Sequence, residues 1–297
     1  MSVSDDKYVF VVESSLGGCG VALGHTTISK TEPLMKWSCI DMDIHDGKYV
    51  ASSQLSSMSQ SLIANQGLTL KDIDYFVVSY GPGTCTGIKV GISLMHGIYM
   101  GRHMTYKHHH TDINTHKNKK HKKISTLPMW MGVSGLHMAA CHLYHTHHHH
   151  EQNHEKNHNK NHTDNIIEDV GVVYYQHARS GFMALSNNHH RHHKRDKKDK
   201  NKKNEEKITA LTFNQETQSL EMSYSKTHCI YEIADNTSTS RNEKNITSPV
   251  NRHSLSRHAA IEASLQGVFG HLLYSDWQDQ PPQARYLSIP YAQRAHR

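Results

Sequence analysis

The sequence predicts an α/β protein with two lobes, and three observations support this prediction. Short β-rich runs such as Tyr8–Val12 alternate along the chain with segments of helical spacing such as 49–66. A buried strand at 74–79 leads through a glycine loop directly into a helix, which is the basic α/β unit. The 297 residues also exceed the ~250 at which single cores stop growing, so we expect two lobes.

The N-terminal elements follow from local patterns. Tyr8–Val12 and Cys19–Leu23 flank a Leu-Gly-Gly turn and predict two antiparallel strands, with a third strand near 35–44. Residues 49–66 predict the first helix, because their apolar positions recur at helical spacing and the segment ends before Gly67.

Seven further segments predict the remaining elements. A strand at 127–133 precedes a helix at 136–144, and the runs 170–175 and 181–185 predict a hairpin. Two more strands are expected at 207–213 and 220–224, before an amphipathic helix at 259–273.

Long polar tracts separate these segments. They lie near 106–123, 145–165, 187–207 and 234–253, and they contain most of the 29 histidines. We expect them to fall between elements, because surface loops tolerate long insertions. The predicted organisation is an N-terminal lobe at 1–105, an insert at 106–123, a C-terminal lobe at 124–275 that carries the other inserts, and a tail at 276–297.

The net charge of +6 belongs to the tracts and not to the folded segments. Residues 103–123 and 187–207 each carry an excess of five positive charges, so the rest of the chain is mildly acidic. The Lys-rich run 194–203 could touch RNA phosphates, but a solvated loop is the simpler interpretation. Histidine runs such as 108–110 and 147–150 favour zinc, nickel or copper, although low-complexity expansion also explains them.

Cysteine usage and the N-terminus indicate a compartment. The five cysteines are odd in number and form no CxxC pair, which excludes a disulfide framework or a zinc ribbon. The apolar run Tyr8–Val12 is too short for a signal sequence or a membrane span. These features predict a cytosolic protein.

The segment 81–91 reads Gly-Pro-Gly-Thr-Cys-Thr-Gly-Ile-Lys-Val-Gly. It is not a P-loop, because Gly87 is followed by Ile88 where a P-loop needs Lys and then Ser or Thr. The helix that follows is apolar on two sides, with Ile88, Ile92, Met95 and Tyr99 on one and Val90, Leu94 and Ile98 on the other. One side can cover its own sheet, and the second predicts contact with a partner or with more of this chain.

Several motifs in order resemble the TsaB (YeaZ) family. Glu13-Ser-Ser15 stands where the family has an Asp-Thr-Ser-like turn, followed by Leu68-Thr-Leu-Lys-Asp-Ile-Asp74 and the glycine-proline signature at 81–91. Gly132-Val-Ser-Gly-Leu136, Ala178-Arg179 with Gly181, and Ala284-Arg-Tyr-Leu287 resemble later family motifs. The chain departs from the family pattern at Glu13, Cys85 and Lys89, where Asp, Phe and Arg are usual, and it lacks the His-Ser-Glu start of the first helix.

The resemblance implies the two-lobed actin-like ATPase (ASKHA, RNase H-like) fold with a degenerate nucleotide cleft. It implies no catalytic residue, no cofactor and no metal, with ATP or ADP bound at most weakly or at a partner interface. The degenerate phosphate loops would comprise Glu13, Ser14, Ser15, Gly81, Pro82, Gly83, Thr84, Thr86 and Gly87.

The implied role is a non-catalytic partner of a TsaD-like threonylcarbamoyl transferase in forming N6-threonylcarbamoyladenosine at adenosine 37 of tRNA. A TsaE-like ATPase would also join the complex. The protein would contact tRNA only indirectly, through that complex. The residues expected at the TsaD-like partner are Leu55, Met58, Leu62, Ile88, Val90, Gly91, Leu94, Met95 and Ile98. An apolar helix without its partner also predicts a homodimer.

Two enzymatic alternatives are an active ATP-dependent member of the same fold and a glycoprotease-like metalloprotease. The catalytic relative carries two histidines at i and i+4, whereas His137 and His142 are five apart and lie about 140° apart around a helix. His137, Cys141 and His145 do align at i, i+4 and i+8 but lack a carboxylate. Ser134 resembles half of a nucleophile elbow, but Leu136 stands where glycine is required.

Overall fold

The computed structural model describes residues 6–48, apart from 28–36, together with 50–113, 127–155, 170–177, 180–186, 208–212, 229–233, 251–271 and 277–284. The predicted strand at 220–224, the Ala178-Arg179 motif, residues 285–287 and the tract 187–207 lie outside these ranges.

The first half of the chain forms a mixed five-stranded sheet in the order β3-β2-β1-β4-β5. A meander of β1 to β3 is antiparallel, and β4 and β5 add in parallel to the other side of β1. The elements are β1 (Asp6–Glu13), β2 (Cys19–Thr27), β3 (Ser38–His45), α1 (Ala51–Asn65), β4 (Tyr75–Ser79), α2 (Cys85–Ile113) and β5 (Met129–Val133).

The second half forms another mixed five-stranded sheet, in the order β10-β9-β6-β7-β8. β6 and β7 form the predicted hairpin, and β8 pairs with β7. The elements are α3 (Gly135–Glu155), β6 (Val170–His177), β7 (Ser180–Leu185), β8 (Ile208–Thr212), β9 (Cys229–Ile233), β10 (Asn251–Leu255) and α4 (Arg257–His271).

Each face of the first sheet is covered by a pair of helices. Strand side chains alternate in direction, so Phe10 and Val12 point into the core below α1 and α2, and Val9 and Val11 point the other way. There α3 and α4 pack together and share one core with residues of the second sheet such as Val172 and Ile233. The layers are therefore α1 and α2, the first sheet, α3 and α4, and the second sheet.

This architecture confirms the predicted α/β, actin-like (ASKHA, RNase H-like) class. The sheets show where the chain passes from one half to the other. β5 lies beyond the tract at 106–123, yet it is hydrogen-bonded to β4 in the first sheet, so that sheet extends to Val133. The division into lobes at 105 and 124 stays a prediction.

The expectation that the polar tracts fall between elements is wrong for three of them. α2 continues to Ile113, α3 continues to Glu155, and β10 begins at Asn251. Histidine, asparagine and lysine have ordinary helix propensities, so without a proline or glycine these helices extend into polar sequence.

The described C-terminal segment, 277–284, lies along the free edge of β5. Gln278 and Trp130 exchange both backbone hydrogen bonds, with N–O distances of 2.7 and 2.8 Å. The rings of Trp37, Tyr75 and Trp277 cluster beside this bridge, with the Tyr75 and Trp277 centroids 4.6 Å apart. The segment thereby covers an edge strand that would otherwise be open. In the described part of the chain, no helix is both long and apolar enough to span a bilayer.

Candidate functional site

The glycine loop, residues 81–87, packs against the turn that connects β1 to β2. β1 and β4 are parallel neighbours, so their carboxyl ends meet at one edge of the sheet. β4 ends at Ser79, the chain turns through Gly81, and α2 begins at Cys85. Gly81 has φ of 108°, a conformation that side chains other than glycine adopt only with strain. The sequence therefore places this loop where a ligand of an α/β sheet would bind.

Backbone and hydroxyl groups of the two loops bind each other. The Thr84 amide donates to the Ser15 carbonyl at 2.7 Å, and the Ser14 hydroxyl donates to the Gly87 carbonyl at 2.9 Å. The Ser14 amide donates to the Ser79 hydroxyl oxygen at 3.2 Å. These groups are the kind that cradle a phosphate in other loops, and here they are satisfied within the chain.

Glycines bring the two loops into direct contact. A Cβ atom at Gly83 would lie 2.2 Å from the Ser15 carbonyl oxygen, and one at Gly87 would lie 1.8 Å from that of Ser14. Both distances are far shorter than any real carbon–oxygen contact, so both positions require glycine. The loop and the turn are packed backbone against backbone.

The structure brings the predicted degenerate phosphate loops together in one place. Thr84 is half-buried and Thr86 is exposed. The other seven predicted residues are buried: Glu13, Ser14, Ser15, Gly81, Pro82, Gly83 and Gly87.

Glu13 is a buried carboxylate in this cluster, with 1% of its surface exposed. Its Oε1 accepts from the Ser15 amide at 2.6 Å and from the Ser15 hydroxyl at 2.7 Å, and its Oε2 accepts from the Ser264 hydroxyl at 2.9 Å. Burial raises the pKa of Glu13 above its ordinary value, and these hydrogen bonds oppose part of the rise. Ser264 carried no recognisable signal in the sequence, because it lies in a helix 251 residues away.

Six of the nine predicted partner-binding residues are buried in this chain's own core. Leu55, Met58 and Leu62 of α1 and Met95 of α2 belong to the core cluster that includes strand residues of the first sheet, and Ile88 and Gly91 of α2 are also buried. They are not available on the surface of the folded chain, which corrects the expectation that they meet a partner directly. Periodicity identifies an apolar stripe but not whether the chain's own sheet or another protein covers it.

The other three predicted residues, Val90, Leu94 and Ile98, are half-buried along one flank of α2. Next to them runs an exposed strip that periodicity did not single out. Met100 and Met104 are 50% and 58% exposed, and no atom lies within 4 Å of a Cβ built at Gly97 or Gly101. The exposed strip comprises Lys89, Ser93, His96, Gly97, Met100, Gly101 and Met104.

α1 packs beside α2 and has an uncharged outer surface. Its fifteen residues contain no acidic or basic side chain. The exposed ones are small or amide-bearing, namely Ser52, Ser53, Ser56, Ser57, Gln60, Ser61, Ala64 and Asn65. A helix exposed to water alone commonly carries charges on its outer side, so this composition is unusual.

Arg102 fixes α2 against the chain that precedes β4. Its Nη1 donates to the carbonyl oxygens of Leu70 and Ile73, the latter at 3.3 Å. Leu70 lies in a short 3-10 helix whose start is capped by Thr69 and Asp72. These bonds set the orientation of α2, and therefore of its exposed strip.

Ser134, His137 and Cys141, which were considered as a nucleophile and as metal ligands, lie at the start of α3. The Ser134 oxygen accepts from the His137 amide at 3.3 Å, which caps α3. The His137 Nε2 atom lies 3.6 Å from the Cys141 Sγ atom, and burial lowers the pKa of His137 to about 4. Among the described residues, no three His, Cys, Asp or Glu side chains form a group that could hold a metal ion.

Comparisons with known proteins show which proteins this chain resembles. The family model described as "TsaD: tRNA N6-adenosine threonylcarbamoyltransferase" matches residues 51–275, more than half of the chain. No curated protein matches the chain significantly.

Solved structures give weaker similarities. "YeaZ from Pseudomonas aeruginosa" is 12% identical, covers 93% of this chain and 99% of its own, and has a TM-score of 0.46. A second structure, an "uncharacterized protein with similarity to peptidase YEAZ from Pseudomonas aeruginosa", is 11% identical, covers 94% and 100%, and has a TM-score of 0.47. These TM-scores are too low to support an argument by themselves. The match of the family model to most of the chain shows that this protein belongs to the TsaB (YeaZ) and TsaD domain family.

Proposed function

We propose that this protein is a non-catalytic partner of a TsaD-like threonylcarbamoyl transferase and supports formation of N6-threonylcarbamoyladenosine at adenosine 37 of tRNA. A TsaE-like ATPase joins the same complex, and the protein meets tRNA through that complex. The contact with the TsaD-like protein is made by the partner surface. We define this surface as the exposed strip of α2, its flank of Val90, Leu94 and Ile98, and the outer side of α1.

The observation that carries the proposal is the composition of the partner surface. α1 contributes no charge, and α2 contributes half-buried aliphatic side chains and the exposed Met100 and Met104. Interface centres are depleted in charged residues and enriched in methionine, so this surface resembles an interface more than ordinary solvent-exposed surface. Lys89 and Arg102 lie on α2 and supply charge at its margins.

The state of the cleft supports a non-catalytic role. An ATP-dependent enzyme needs room for phosphates beside its glycine loop. Here the Ser15 and Ser14 carbonyls contact Gly83 and Gly87 directly, and the buried side chain of Glu13 lies in the same cluster. The ATP-dependent alternative would require these contacts to separate.

Binding to a purified TsaD-like protein, measured by isothermal titration, tests the proposal. Met100→Asp introduces a charge at the centre of the exposed strip, and Leu94→Asp does so on its flank. We expect each to weaken binding at least about tenfold, because an unpaired charge would be desolvated in the interface. Met100→Asp should leave the thermal stability of the isolated protein unchanged, since Met100 is half exposed.

His258→Asp is the matched control. His258 is exposed on α4, on the opposite side of the first sheet, so the same new charge should leave binding unchanged. Size-exclusion chromatography with light scattering of the same variants reports homodimer formation through this surface. Binding of both α2 variants at the affinity of the unmodified protein would refute the proposed surface.

A further inference from the structure

The two edges of the first sheet are protected in different ways. At one edge β3 carries Asp41 and Asp43, and its pairing with β2 shifts register between Leu23 and Gly24. Charged side chains and such irregularities keep edge strands from pairing with other chains. At the other edge β5 has neither feature, because Met129–Val133 is uncharged and pairs with β4 in an unbroken register.

The segment 277–284 covers the β5 edge with one backbone bridge. Gln278 exchanges both hydrogen bonds with Trp130, and the chain then bends so that Pro282 lies against Gly132. A Cβ atom at Gly132 would lie 2.7 Å from the Pro282 Cβ atom. Proline has no amide hydrogen, so Pro282 cannot donate a further hydrogen bond to β5.

An aromatic contact anchors the start of this segment. Trp277 is half-buried, and its ring centroid lies 4.6 Å from that of Tyr75 on β4 and 6.4 Å from that of Trp37. Residues 278–280, which follow it, are exposed to water. A short and largely exposed segment of this kind can open locally while the sheet beside it stays folded.

β5 is complementary to a second copy of itself. The peptide groups of Trp130 point away from β4, as the bridge to Gln278 shows, and backbone alternation gives Gly132 the same direction. In an antiparallel pair centred on Met131, Trp130 of each copy lies opposite Gly132 of the other. Both residues then direct their hydrogen-bonding groups at the opposite strand. The largest side chain of β5 faces a residue that has none, so the two strands approach without a clash.

We propose that β5 is a self-association edge, and that the segment 277–284 competes with a second copy of this chain for it. While the segment is in place, the edge is closed. When the segment opens, two copies join through β5 into one continuous sheet. This edge consists of backbone groups, whereas the partner surface consists of side chains on α1 and α2, so the inference does not rest on the proposed function.

Light scattering after size-exclusion chromatography tests this competition. Two release variants are used: Gln278→Pro removes the amide that donates to Trp130, and Trp277→Ser removes the anchoring ring. Each should raise the weight-average mass about 1.5-fold or more as protein concentration increases, because a dimer has twice the mass of one copy. All proteins compared also carry Met100→Asp, so that association through the partner surface does not contribute.

Two further variants serve as controls. Gln280→Pro introduces the same residue type at an exposed position beyond the bridge and should leave the mass unchanged. Met129→Lys, added to either release variant, places a charge on the edge strand and should restore the lower mass. If the release variants are folded by circular dichroism and keep the lower mass, the inference is overturned. A rise in mass that Met129→Lys does not reverse also overturns it.

Hydrogen exchange followed by NMR tests the opening of the segment in the unmodified protein. The Trp130 amide is bonded to the segment, whereas the Met131 amide points towards β4. We expect the Trp130 amide to exchange at least about tenfold faster, because local opening of the segment exposes it. Equal protection of the two amides would show that the segment opens only together with the sheet, and would contradict the competition.

Discussion

Glycines towards the two ends of α2 lie in opposite environments, tightly packed in one pair and open in the other. Gly87 and Gly91 touch Ser14 so closely that a Cβ would lie 1.8 Å from its carbonyl oxygen and 2.4 Å from its hydroxyl oxygen. Gly97 and Gly101, further along the helix, have open space where a Cβ would be. The first pair lets this chain pack against itself. The second pair leaves open space on the surface of α2, and this space is what the proposed contact with a partner requires.

The comparison extends to the side chains around each pair. At the inner end Glu13, Ser14 and Ser15 are buried, and Ser14 and Ser15 are hydrogen-bonded to the glycine loop. At the outer end Met100 and Met104 are exposed although each would be favoured inside a core. One helix thus joins a closed cleft to an open apolar surface.

The largest expected effect comes from adding a methyl group at the inner end. Gly87→Ala should destabilise the protein by about 3 kcal/mol or more, or prevent folding, because the new atom meets the backbone of Ser14. Gly97→Ala adds the same group in open space and should stabilise the isolated protein by up to about 1 kcal/mol. Urea unfolding of both variants measures the difference. Similar costs at the two positions would remove the contrast between the ends.

A smaller effect is expected from acid, through His137 at the start of α3. The pKa of His137 falls to about 4 in the folded protein, so the unfolded chain binds a proton more readily below its ordinary pKa of about 6.5. The free energy of unfolding should therefore decrease by a few kcal/mol as the pH falls from about 6.5 to about 4. His137→Gln should show a shallower decrease in urea unfolding at successive pH values.

Through Glu13, acid should change the free energy of unfolding in the opposite direction, which provides a control for the effect of His137. Its raised pKa means that the folded state takes up a proton before the unfolded state does, which adds stability as the pH falls through that pKa. Glu13→Gln lacks this gain, so acid should lower its stability more steeply than that of the unmodified protein. Parallel curves for these two proteins would contradict the buried, raised-pKa state of Glu13.

The smallest effect on stability is expected at the outer side of α1. Gln60→Lys exchanges two residues of similar helix propensity at an exposed position, so the free energy of unfolding should change by less than about 0.5 kcal/mol. The same charge should weaken binding of the TsaD-like protein, because it enters an uncharged surface. Thermal unfolding and titration on one preparation separate these outcomes, and unchanged binding would place α1 outside the interface.

Local pattern predicted much of the fold. The strands at 8–12 and 19–23, the helix at 49–66, the strand at 74–79 and the start of the helix after the glycine loop all appear within a few residues of their predicted bounds. Each depends on spacing within a short segment, which sequence displays directly. The ends of α2 and α3 were misjudged because polar composition alone does not stop a helix.

The candidate site was predictable only in part. The motifs correctly brought Glu13–Ser15 and Gly81–Gly87 together, because parallel neighbouring strands end at one edge. Six of the nine residues expected at a partner are buried within this chain, and whether α1 and α2 contact a partner stays a prediction. Leu55, Met58 and Met95 form a regular apolar stripe, and that stripe is the one the first sheet covers.

The sequence by itself determined the order of elements from β1 to the start of α3, the glycine positions of the loop and the uncharged composition of α1, since these are properties of neighbouring residues, whereas β9 and β10 were not predicted. Tertiary structure alone decided that Glu13 meets Ser264 and Gly135, and which glycines of α2 are covered. The physical reason is that a contact between residues 251 apart depends on how whole layers pack, and no local spacing records that packing.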